Sequence, residues 1–132
     1  MPEFSAQTDP TGTYLPLGEI VLRAGPIRRA MPALIDSGAD RTVMPAELVS
    51  DILPFDDLMP VGRAGGLGSV EIRLAEAELS FGGLRFTDFV LVAAPGTSLR
   101  YPVLGRGDFF RRFAVCFHWS HSPPTFSIEP AA

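Results

Sequence analysis

Ala33-Leu34-Ile35-Asp36-Ser37-Gly38-Ala39-Asp40 decides how this chain of 132 residues is read. Apolar residues lead into a carboxylate at a sharp, glycine-containing turn, the way a β-strand delivers one acid to the rim of a site. The stretch occurs once, so its strand-to-turn junction delivers one carboxylate, Asp36, half of an acid/base pair. Upstream, Leu17 to Arg23 and Arg29 to Ile35 are short apolar segments on either side of the turn signal Ala24-Gly25-Pro26, a β-rich pattern. Residues 1–12 are polar and broken by Pro and Gly, so they read as a flexible tail before a single domain over 13–132.

Downstream the pattern stays β-rich. Thr42-Val43-Met44 precedes Pro45 to Val49, where Pro suits the start of a short peripheral helix. Gly62 to Ser69 is the richest glycine cluster, and Val70 to Leu74 alternates like a half-exposed strand; together they read as a flexible hairpin. Ala75 to Phe81 and Phe86 to Ala93 flank the turn Gly82-Gly83, with Phe89 to Val92 expected to be fully buried. Asp108 is placed to cap a short helix that buries Phe109, Phe110 and Phe113. Phe113 to Trp119 and Thr125 to Glu129 close the chain as a hairpin. Thirteen Gly and thirteen Pro leave no room for long helices.

Composition narrows the chemistry. A formal net charge of −4 argues against a nucleic-acid footprint, which shows as clustered excess basic charge. All 11 basic residues are Arg, which excludes Schiff-base chemistry and a P-loop, each of which needs a lysine amine. No stretch is long enough to span a bilayer and the N-terminus lacks signal-peptide character, so a soluble, cytoplasmic protein is the default expectation. The single Cys116 reads as a buried, inert thiol.

Three features in series resemble the retropepsin family, the single-domain aspartic proteases, over about residues 14–119. They are Leu34 to Val43 around Asp36-Ser37-Gly38-Ala39, the glycine cluster Gly65-Gly66-Leu67-Gly68, which is similar to the family's flap tip, and Val103-Leu104-Gly105-Arg106 before the helix pattern. The resemblance implies an all-β, retropepsin-like acid protease fold: a closed, barrel-like protomer with a flap hairpin and one short C-terminal helix. Because the family draws its second aspartate from an identical subunit, it also implies a homodimer.

The activity implied is peptide-bond hydrolysis. Two aspartates about 3 Å apart cannot both ionise, so the pair holds one proton, and one acid donates while the other accepts. Water between them is activated without a covalent intermediate, a cofactor or a metal. By the same resemblance Asp36 is catalytic and Ser37, Gly38 and Ala39 support its loop. Asp40, Val43, Gly66, Leu67, Gly68 and Val103 contact an extended polypeptide, and Asp40 pairs with Arg106. The alternative is a catalytically silent peptide-binding or dimerisation module on the same fold.

Some residues call for plainer readings. Gly107 departs from the family pattern as a one-residue insertion. Arg106-Gly107-Asp108 spells a cell-adhesion tripeptide, but its place before a helix gives it a structural job. Cys116, His118 and His121 could be imagined as metal ligands on one strand face, yet a fourth ligand is not evident. Asp51, Asp56 and Asp57 read as solvated loop acids.

Overall fold

The computed structural model describes residues 3–64 and 69–131. Its strands in chain order are β1 (Glu3–Ser5), β2 (Gln7–Thr8), β3 (Tyr14–Leu15), β4 (Leu17–Ala24), β5 (Ile27–Ile35), β6 (Val43–Pro45), β7 (Met59–Ala64), β8 (Val70–Phe81), β9 (Leu84–Ala93), β10 (Val103–Leu104), β11 (Phe113–His118) and β12 (Thr125–Pro130). Two four-residue helices, α1 (Ala46–Val49) and α2 (Phe109–Arg112), interrupt them. The fold is all-β.

The main sheet runs β4-β5-β10-β6-β9-β8-β7, and a further pairing of β4 with β8 closes its first six strands into a barrel. Closure leaves β7 outside the ring, antiparallel to the first half of β8; this is the hairpin expected as the flap. Val70 to Leu74 and Ala75 to Phe81, separate in sequence pattern, form one continuous strand of 12 residues, β8. In its barrel half Ala75, Ala77, Leu79 and Phe81 recur at the period of two that buries one face of a strand, with Ala75 opposite the buried Val90 of β9.

Aromatic packing joins the barrel to the small sheet β1-β12-β11. Phe81 meets Phe109 and Phe113 edge-on at 5.3 Å each, and Phe109 stacks on Phe113 at 4.6 Å. Gly18 makes room for this cluster, since a Cβ there would sit 2.7 Å from the Phe81 ring.

Four expectations change. Within the stretch expected as a tail, residues 3–5 are held in a sheet: Glu3–Ser5 pair with Thr125–Ser127, and Phe4 stacks on Phe126 at 5.3 Å. One aromatic in a polar stretch thus finds its partner at the far end of the chain, a contact that local composition does not reveal. Farther along, Thr11 and Thr13 amides donate to Asp9 Oδ1 at 2.9 and 3.0 Å; the Thr11 hydroxyl holds that carboxyl below the ordinary aspartate range. Helix α1 is not peripheral, because Ala46 and Val49 belong to the core. Phe89 is 48% exposed rather than buried, since β9 alternates around Val90 and Val92. Cys116 is exposed, because Phe113 faces the core and places Ala114 and Cys116 on the opposite face of β11.

Candidate active site

Asp36 follows directly on β5, whose Ile35 is buried, so the chain leaves the barrel as the acid begins. Parallel pairing of β10 with β5 brings Val103 beside Leu34 and Leu104 beside Ile35. The ladder continues into the loop: the Leu34 amide donates to Pro102 at 2.8 Å and the Asp36 amide to Leu104 at 3.1 Å. Past the acid, Ala39 N–H donates to the Asp36 carbonyl at 3.2 Å and closes the turn.

The carboxylate itself is half-buried. Gly38 N–H donates to Asp36 Oδ1 at 2.8 Å, and a Cβ on Gly38 would stand only 3.1 Å from that oxygen. Glycine therefore lets the amide reach the carboxylate without crowding it. Among the described residues no basic side chain pairs with Asp36, so nothing in the protomer locks it as an ion pair. Ser37 and Gly38 are exposed at the tip, and Ala39 is half-buried.

The second half of the loop is clamped by the segment after β10. Arg106 N–H donates to Ala39 at 2.9 Å and Gly107 N–H to Asp40 at 2.7 Å. This contact is close enough to demand glycines. A Cβ on Gly105 would lie 2.4 Å from the Arg41 carbonyl carbon, and one on Gly107 would lie 2.8 Å from the Asp40 oxygen. The apparent insertion at Gly107 is thus part of the clamp.

Below it lies a buried polar network. Thr42, 2% exposed, donates its hydroxyl to Asp108 Oδ1 at 2.7 Å and its amide to Oδ2 at 2.9 Å. The same hydroxyl accepts from Gly105 N–H at 3.3 Å. Asp108, 1% exposed, also caps α2 by accepting from Phe109 N–H at 2.7 Å. The cap was legible in sequence, whereas the bond to Thr42 joins two segments 66 positions apart. A small polar residue at the head of an apolar run, Thr42-Val43-Met44, was the one available signal. Because Asp108 is buried, Arg106-Gly107-Asp108 does not present its acid to solvent.

Other expected residues fall as follows. Asp40 and Arg106 do form an ion pair, but their side chains are 89% and 56% exposed in the protomer. Val43 pairs with both Val103 and Leu91, Val43 half-buried and Val103 8% exposed. Gly66, Leu67 and Gly68 lie outside the described residues. His118 and His121 stack at 5.0 Å in the closing hairpin. Asp51 is ion-paired with Arg29, not merely solvated.

The closed barrel matches solved structures of proteases. The chain has the retropepsin-like fold. A retropepsin-like aspartic protease from Rickettsia conorii superposes with a TM-score of 0.62 at 13% identity, over 99% of this chain and 94% of that one. EIAV protease, solved with the inhibitor HBY-793, gives 0.56 at 20% identity over 76% and 88%. The retroviral protease-like domain of Ddi1 from Leishmania major gives 0.54 at 16% over 74% and 78%. No family model and no curated protein matches the sequence. The retropepsin-like fold thus survives here at identities where sequence comparison falls silent.

Proposed function

We propose that two copies of this chain pair about a two-fold axis, bring their Asp36 carboxyls together, and hydrolyse peptide bonds in extended polypeptides. The observation that carries the reading is the Asp36 loop: a half-buried aspartate with no cationic partner among the described residues, oriented by Gly38 N–H and clamped on both sides. One such acid gives general acid or general base chemistry; a symmetric pair gives both.

In the dimer the two carboxyls share one proton. The ionised Asp36 takes a proton from the water between them as that water attacks the scissile carbonyl. The neutral Asp36 gives its proton to the carbonyl oxygen, forming a tetrahedral diol. Ser37, exposed at the loop tip, bonds across the axis in this reading. Asp40 receives substrate main chain, and Gly66, Leu67 and Gly68 fold over it. Val43 supplies apolar surface beside the cut; Val103, nearly buried, adds its rim, which favours apolar flanking residues.

Cleavage of a mixed peptide library between about pH 3 and 7, native chain against Asp36→Asn, tests this reading. A bell-shaped profile in the native protein that vanishes in the variant is the expected outcome. If both proteins are dimeric by light scattering and bind peptides, yet neither cleaves, a silent binding module replaces the protease.

A further inference from the structure

At the opposite end of the β4–β5 hairpin from Asp36, the sheet carries an arrangement that the protease reading does not use. Arg23 and Arg28 are direct cross-strand partners. Like charges placed opposite each other on a sheet repel, and natural pairs there are usually of opposite sign. The neighbouring strands add Ser80 and Arg85, themselves register partners on β8 and β9. These four side chains, with Gly82 and Gly83 at the turn, line a groove of about 330 Å³.

The groove's positive charge is only partly answered from within. Arg85 Nε donates to Glu78 at 3.0 Å, so that guanidinium is engaged. Arg28 forms no ion pair among the described residues. Arg23 Nε is buried and has no hydrogen-bond partner among the described residues. A buried charged donor without an acceptor is costly, and an acceptor from solution would relieve it. Glu78, the register partner of Arg23 on β8, is engaged by Arg85; Glu19, the acid on the groove's lining, stands four residues along β4 from Arg23, about 13 Å at strand rise, with Val21 between.

We propose that this groove is a binding site for a phosphate-type oxyanion, with the Arg23 and Arg28 guanidiniums as donors and Ser80 and Arg85 at its rim. A tetrahedral oxyanion offers several acceptors at once, which suits two guanidiniums that face each other, and its charge converts their repulsion into a bridge. Arg28 precedes Asp36 by eight residues of extended chain, about 26 Å, so the site is separate from the candidate dyad.

Inorganic phosphate titrated into the full chain at constant ionic strength, followed by amide and Arg Nε–H chemical shifts, tests the assignment. Saturable shifts centred on Arg23, Arg28 and Gly82-Gly83 are expected, with Kd near or below about 1 mM. Arg28→Gln, at an exposed position that leaves the core intact, weakens binding about tenfold or more, which is about 1.4 kcal/mol. Arg23→Gln gives a parallel loss if it folds; Arg28→Gln decides the matter if it does not. A phosphoserine peptide run alongside separates the sources: tighter binding than inorganic phosphate assigns the groove to a phosphorylated polypeptide, and weaker binding assigns it to the free ion. Absence of saturation, an equal response to chloride, or unchanged affinity in Arg28→Gln overturns the proposal.

Discussion

Replacing Asp108 is the sharpest test of how the Asp36 loop is held. Its carboxylate receives three hydrogen bonds, from the Thr42 hydroxyl, the Thr42 amide and the Phe109 amide, at 2.7, 2.9 and 2.7 Å. Asp108→Ala removes both acceptor oxygens, and with them all three bonds, in a site that is 1% exposed. Each buried donor left unpaired costs about 1–3 kcal/mol. The Thr42 hydroxyl can rotate and water can fill part of the space, while the carboxylate's own desolvation cost disappears. A net loss of about 3 kcal/mol follows.

Asp108→Asn separates shape from acceptor count. Its single oxygen still serves the Thr42 hydroxyl and the Phe109 amide, but its NH2 group then faces the Thr42 N–H. One donor–donor conflict replaces one bond, for a loss of about 1–2 kcal/mol. Thr42→Val, measured alone and in the Asp108→Ala background, completes a cycle whose coupling is about 1 kcal/mol or more. Urea unfolding at fixed protein concentration gives the energies, since association would make them concentration-dependent. If Asp108→Ala lies within about 1 kcal/mol of the native chain, or the two substitutions are additive, the clamp is not energetically real.

Three further outcomes follow from the same structure. Gly105→Ala drives a Cβ into the Arg41 backbone, which has no flexible end to yield, and lowers stability by about 3 kcal/mol or more in thermal melts; Gly12→Ala, with open space around it, bears only the left-handed backbone penalty of about 1–2 kcal/mol. Arg106→Ala breaks an ion pair that is exposed in the protomer, so protomer stability falls by less than about 1 kcal/mol, while sedimentation shows weakened self-association; unchanged association would remove Arg106 from the proposed interface. Phe4→Ala takes one ring off Phe126 and lowers stability by about 1–3 kcal/mol; a melting temperature equal to the native one would return residues 3–5 to the status of a tail.

Much of the fold was legible because strand signals are local. The turn around Gly25, the β8–β9 turn at Gly82-Gly83 and the acid at the end of β5 each rest on an apolar run meeting a turn residue, and a few neighbouring residues suffice to specify that. Asp36, its glycine and the capping role of Asp108 were available for the same reason. What fails locally is exposure along a strand. Phe89 and Cys116 belong to runs that look uniformly apolar, and only pairing to a specific neighbour decides which alternate positions face the core.

By itself, then, the sequence determined an all-β chain with one acid on a glycine turn, no lysine chemistry and no long helix. Tertiary structure alone decided how that acid is held. The parallel crossing of β10 behind β5, the Thr42–Asp108 bond and the glycines at 105 and 107 depend on contacts between segments more than sixty residues apart. So does the docking of Phe4 on Phe126. The reason is physical: hydrogen-bond partners and steric limits are properties of atoms brought together in space, and a residue's neighbours along the chain carry no record of which distant backbone will press against it.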